Sequence, residues 1–352
     1  MTIALVAISA ACESSTAPQT DVAPSEATVA DYDALGRLLG SDGFAAVNGL
    51  GGRTPLSTGT VIAAVQQLPG LVRDNSGRDY VLGLFRAAAA ESPKQGAALR
   101  IISSVHLGKT LVYDTALDQY VIDPARTGAP SNGVRFIAYE QDSAGTPIAT
   151  REIGYADLLD EGTTTGNAIA LRLKVVLRDV TTLDYRSTVD LRPTEGSIDV
   201  TGFATDGVAR LNFTIGLDAR RVGTRTLLDA DFELGVPVRD FTVVGTVRNV
   251  EEDEEGNGEI TVTARHQQNT LRSAVTGTAG VLNGSISWNG ATFVTISGPA
   301  DQPTLLGRTG QPLTIGEMLV VQRVMRLNDD VFDLVEELVE PVEDLVLLGW
   351  FL

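Results

Sequence analysis

The chain has 352 residues, 43% of them hydrophobic and 20% charged, a balance that specifies a folded chain with one large or two ordinary domains. Its net charge of −18 repels nucleic acid and anionic bilayers, and its three lysines (Lys94, Lys109, Lys174) form no basic patch, which excludes nucleic acid as a partner. No apolar run reaches the ~20 residues of a membrane-spanning helix.

Met1 to Ala11 is a short apolar stretch ending in the small residues Ser9, Ala10 and Ala11, directly before the single cysteine, Cys12. One cysteine forms no internal disulfide, so its position is the informative feature. The stretch reads as the end of a secretory signal. It resembles the bacterial lipoprotein signal, in which the cysteine receives a lipid and becomes the mature N-terminus. It departs from that family at Ser9, where Leu, Val or Ile is usual, and it carries no Lys or Arg before Arg37. The resemblance implies 1–11 as a signal segment, Cys12 as the lipidation site and a cell-envelope location. The membrane is then a partner through the N-terminal lipid. Glu13, rather than Asp, after the cysteine leans toward the outer membrane by that family's sorting habit.

Residues 12–30 are rich in Ser, Thr, Ala and Pro without a cation, the composition of a flexible tether. From 31 to 105 the pattern predicts a small helical region. Its clearest member is Arg78 to Glu91, with Val81, Leu84, Phe85, Ala88 and Ala89 on one face before Ser92-Pro93.

Strands follow in the segment 106–352. Lys109 to Tyr113 is expected to pair with Gln119 to Ile122, and Val134 to Glu140 with Pro147 to Ile153. The period-two pattern is clearest where Ile169, Leu171, Leu173, Val175 and Leu177 alternate with polar or smaller neighbours. Leu183, Tyr185, Val189 and Leu191 continue it, as do Leu211, Phe213, Ile215 and Leu217, then Phe232 with Leu234 and Phe241 with Val243. Such alternation puts one row on a buried face and the other in water. Asp206-Gly207, Asn257-Gly258, Asn283-Gly284 and Asn289-Gly290 read as hairpin turns, because Asn, Asp and Gly tolerate positive φ. About ten strands with no helix between them predict an antiparallel meander. The chain shows no fixed-period repeat, and its aromatic content of 5% leaves no interface girdles for an outer-membrane barrel.

A long helix is expected over 314–340. Thr314-Ile315-Gly316-Glu317 has the spacing of a capping box, and Val320, Val324, Leu327, Val331, Leu334 and Leu338 recur at spacings of four and three. Pro341 ends it.

The chemistry-bearing residues make no catalytic signature. The two histidines, His106 and His266, lie far apart and would need carboxylates to complete a zinc site. No Gly-x-Ser-x-Gly elbow occurs. Gly108-Lys109-Thr110 imitates a phosphate loop but has Ser103 where glycine is required and a strand where a helix should follow. Asp253, Glu255, Asn257 and Gly258 match the first positions of a calcium loop, but the twelfth is Ala264. The reading is therefore a non-enzyme with no cofactor and no metal.

Gly108-Lys109-Thr110-Leu111-Val112-Tyr113-Asp114 followed by Gln119-Tyr120-Val121 is similar to a strand-turn-strand of the periplasmic lipoprotein carriers of the Lol type. That resemblance, about fifteen residues long, implies a curved half-barrel with an apolar cavity for acyl chains. The expected fold is thus mainly β with α+β character. A large curved antiparallel sheet or half-barrel packs a long C-terminal helix, with the small helical region on the N-terminal side. The expected ligand face is Ile169, Leu171, Leu173, Leu183, Tyr185, Leu211, Phe213, Phe232 and Phe241, binding a lipid or other hydrophobic ligand. The alternative is a structural or adhesive surface protein whose core is fully packed.

Overall fold

The computed structural model describes residues 102–325 apart from 103, 144, 145, 163–167, 193, 224, 252–256, 301, 316, 320 and 323. The expected signal segment, Cys12, the expected tether, and the expected helical region up to 101 lie outside the described residues.

One mainly antiparallel sheet of fifteen strands holds the described chain together. Its strands are β1 (Lys109–Asp114), β2 (Gln119–Ile122), β3 (Gly133–Gln141), β4 (Pro147–Gly162), β5 (Ala168–Leu177), β6 (Val180–Leu191), β7 (Glu195–Thr205) and β8 (Arg210–Val222). They continue with β9 (Arg225–Val236), β10 (Phe241–Glu251), β11 (Asn257–His266), β12 (Asn269–Thr278), β13 (Val281–Trp288), β14 (Ala291–Pro299) and β15 (Thr304–Gly307). From β3 to β15 every strand pairs with its sequence neighbours, so the expected meander forms with fifteen strands rather than ten. The exception is at the start. β1 pairs antiparallel with β2 but parallel with β3, with Lys109 opposite Val134 and Leu111 opposite Phe136. The sheet is open, with β2 and β15 as its edges. The β15 edge is blunted by its own chain. Leu306 bridges back to Pro312 and the Gly307 N–H donates to the Gln311 carbonyl at 2.8 Å, so Pro312, which has no N–H, ends the ladder.

Alternation sorts the two faces. One register line crosses eleven strands through Val134, Leu158, Leu173, Tyr185, Gly202, Phe213, Leu234, Val243, Ala264, Leu271 and Trp288. Every side chain on it is buried. Apart from Gly202, these residues belong to a single apolar cluster that runs from β1 to β14. At ~25 cal/mol per Å² of apolar surface, that continuous face supplies the main driving force for folding. Two glycines on this face mark close approaches rather than turns. A Cβ at Gly245 would stand 1.9 Å from the ring of Phe232, and one at Gly202 would stand 2.3 Å from the Cβ of Tyr185.

The other face is polar. Across β3 to β6 it carries an alternating charge line, Arg135 opposite Asp157, Asp157 opposite Lys174, and Lys174 opposite Asp184. Opposite charges on facing strands favour this pairing, and a one-residue slip would send the line into the core.

Two of the expected turns are strand instead. Asn257-Gly258 opens β11 against Asn249 and Val250. Asn283-Gly284 sits inside β13, opposite Thr276 and Val275. The turn before β13 is Ala279-Gly280, whose φ values of 49° and 73° suit a two-residue hairpin. Gly284 has another purpose, because a Cβ there would lie 2.5 Å from the Ala274 carbonyl oxygen. Asn289-Gly290 is a turn as expected, with φ of 49° and 80°.

The capping box at Thr314 forms. The Thr314 N–H donates to Glu317 Oε2 at 2.8 Å and the Glu317 N–H to Thr314 Oγ1 at 3.3 Å, and the Met318 N–H donates to the Thr314 carbonyl at 2.9 Å. Helical residues follow within 315–325, and Val321 and Val324 join the core of the sheet. The expected helix to Glu340 is not supported: the described residues show only this beginning, and 326–352 lie outside them.

Candidate functional site

The nine residues expected to line a ligand face come from β5, β6, β8, β9 and β10 and do share one face. Leu173 opposes Tyr185, Phe213 opposes Leu234 and Ile215 opposes Phe232, placing them on successive register lines. Ile169, Leu171, Leu173, Leu183, Tyr185, Leu211, Phe213, Phe232 and Phe241 are each 5% exposed or less. A side chain bordering a void of water size keeps accessible surface, so these nine are enclosed by atoms of the chain itself. The Tyr185 and Phe213 rings meet across Gly202 with centroids 6.2 Å apart at 60°. This tilted pairing uses the missing Cβ.

A cluster of four rings lies at the β1–β3 end. Tyr120 packs against Tyr113, Phe136 and Tyr139 with centroids 5.9, 5.6 and 6.5 Å away, and its hydroxyl donates to the Ile137 carbonyl at 2.9 Å. Burial raises the pKa of Tyr139, and the nearby Glu152 carboxylate adds to that. The strand-turn-strand from Lys109 to Ile122 is therefore a hairpin anchored by aromatic packing.

The polar face is held by paired charges. Arg135 donates through Nε and Nη2 to both oxygens of Asp157 at 2.7 and 2.8 Å, and its guanidinium lies 3.7 Å over the Tyr155 ring. Arg172 grips Asp184 in the same fork at 2.7 and 2.8 Å. Arg186 pairs with Glu161 at 2.6 Å. Farther along, Arg248 bridges Asp231 and Asp229 at 3.2 and 3.5 Å. Asp199 is held in no such fork among the described residues. Partial burial raises its pKa and the Asp218 carboxylate raises it further. Sequence reading missed this network, whose only trace there is the row of Arg172 and Lys174 on β5 and of Asp184, Arg186 and Asp190 on β6.

A cleft of about 440 Å³ opens beside the irregular pairing of β3 with β4, lined by Glu140, Glu152, Ile153, Gly154, Tyr155, Val176, Arg178 and Asp179. Two of its carboxylates are neutralised: Glu140 by Arg151 at 3.0 Å and Glu152 by Arg126. Among the described residues no three His, Cys, Asp or Glu side chains converge as a metal-ligand set. His266 ends β11 with its ring edge-on to Phe241, 6.4 Å away, and the His106 Nδ1 is buried without a hydrogen-bond partner among the described residues. The two histidines lie far apart in the strand order, on β11 and just before β1, and belong to no shared metal-ligand set among the described residues.

No family model, curated protein or solved structure matches the chain.

Proposed function

We propose that this is an exported cell-envelope protein, tethered through a lipid on Cys12, whose sheet is a packed scaffold that displays a charged and hydroxyl-rich face. The observation that carries this reading is the burial of all nine candidate ligand residues at 5% exposure or less in the chain alone. A carrier of acyl chains needs an apolar wall that stays open to its cargo, commonly a cavity of ~300–1,000 Å³. Here that wall is the core itself. Fifteen strands ~4.8 Å apart would span about 67 Å if flat. Coverage of that apolar face by the chain's own atoms accounts for the burial without a ligand. The outward side offers paired Arg and Asp with Thr and Ser between them, a surface suited to polar partners.

Titration of the detergent-free protein with a fluorescent fatty acid tests the scaffold reading against lipid carriage. The scaffold reading expects no saturable signal. Saturable one-to-one binding, displaced by unlabelled fatty acid, would establish carriage instead.

A further inference from the structure

We infer that the polar face of the sheet docks a second copy of this chain, the unpaired arginines of each copy meeting the unpaired carboxylates of the other. The inference rests on the scaffold reading and names the partner of its displayed face. On that face Arg135, Arg172, Arg186 and Arg248 each hold a carboxylate. Arg265 on β11 and Arg272 on β12 are exposed and hold none among the described residues. Arg265 opposes Thr270 and Arg272 opposes Thr263, so the two are diagonal neighbours with Cα atoms about 7–8 Å apart. From β11 to β14 the sequence has a single acid, Glu259, and it lies opposite Arg248.

The opposite excess lies four strands away on the same face. Asp218 on β8 is directly opposite Asp229 on β9, and Asp199 on β7 is opposite Gly216, one diagonal from Asp218. Arg248 takes Asp229 and Asp231, and Arg186 is taken by Glu161. Asp199 and Asp218 are thus left exposed without a cation among the described residues. Like charges on neighbouring strands are unfavourable within one copy, and a partner of opposite sign turns each pair into a contact.

Val244 lies between the two pairs, on β10. It is 37% exposed on this polar face, whereas the other exposed aliphatic residues of the described strands stand at strand ends. A two-fold axis in the interface sets β7 and β8 of each copy over β11 and β12 of the other. That arrangement puts β10 near the axis, where the two Val244 side chains supply an apolar centre inside a polar contact. A polyanion would answer the arginines alone and a cation the carboxylates alone. A second copy answers both. Charges farther apart than ~8 Å are screened at physiological salt, so the contacting pairs decide, despite the net charge of −18 on each copy.

The test is sedimentation equilibrium at physiological salt on the full chain carrying Cys12→Ser, which cannot be acylated. The parent sediments as a dimer. Arg265→Glu/Arg272→Glu and Asp199→Lys/Asp218→Lys each weaken association on the order of 100-fold. An equimolar mixture of these two variants restores a dimer, because each then meets the other with opposite charges at both contacts. Arg308→Glu, at an exposed arginine beyond β15, leaves the dimer intact. The mixture of Arg272→Glu with Asp218→Lys serves in place of a double variant that fails to fold. A monomeric parent, or charge-reversed chains that remain dimers, would overturn the inference. So would two folded, monomeric variants that stay apart when mixed. None of these outcomes touches the filled core or the lipid on Cys12, which fatty-acid titration and intact mass read separately.

Discussion

The ring of Phe232 lies against the backbone of Gly245 on the neighbouring strand, so close that a Cβ at Gly245 would meet the ring Cζ at 1.9 Å. Phe232 is 3% exposed and has no room to retreat. Gly245→Ala is therefore expected to cost about 2 kcal/mol or more by overpacking. Gly235, another strand glycine, has nothing within 4 Å of its Cβ position, so Gly235→Ala is expected to change stability by about 0.5 kcal/mol or less, or to raise it. Urea denaturation midpoints of the two variants distinguish them. Equal losses would mean that strand propensity, rather than the ring, decides both.

The fork between Arg135 and Asp157 predicts a second asymmetry. Their side chains are 20% and 12% exposed, so removing one leaves the other poorly solvated. Asp157→Ala is expected to cost about 2 kcal/mol, while Arg135→Met/Asp157→Leu recovers most of that loss. A double variant less stable than Asp157→Ala would show that the pair contributes net stability beyond its mutual satisfaction.

Asp199 gives stability a pH dependence of known sign. Its pKa is raised in the folded chain, chiefly by partial burial and then by Asp218, so the folded state binds its proton more tightly than the unfolded state. This contribution strengthens as pH falls through the raised value and is absent at neutral pH, where the surroundings disfavour the charged form. Asp199→Asn should therefore stabilise the chain at pH 7, by about 0.5 kcal/mol or less given solvent screening. The gain vanishes as pH falls below the ordinary carboxyl value of 3.8. Thermal melts from neutral to acid pH check it. A gain independent of pH would exclude the carboxylate as its cause.

The sequence makes the middle of the sheet legible and its ends much less so. From Leu171 to Val175 and from Leu211 to Leu217 large aliphatic residues alternate with small or polar ones, and burial follows that order, whereas Ala170 and Val176 are buried on the alternate row. In β11 to β15 threonine, serine and glycine occupy both faces, so alternation fades and the strand count falls short. The parallel pairing of β1 with β3 depends on which strands meet, and local periodicity does not encode that. Asn283-Gly284 carries the composition of a turn, but its glycine serves a close approach between strands, and the turn falls on Ala279-Gly280. The candidate ligand row was legible as a shared face. Its complete enclosure was not, since that depends on the curvature and packing of the whole sheet.

The central claim is a lipid-tethered scaffold with a filled apolar core, and the intact mass of the protein drawn from the envelope fraction under native conditions tests it most directly. The account predicts one species, a polypeptide beginning at Cys12 with a covalent diacyl or triacyl glycerol, that carries no non-covalent lipid. An unmodified chain recovered from the cytoplasm, or a species retaining stoichiometric lipid that is released on unfolding, would contradict it.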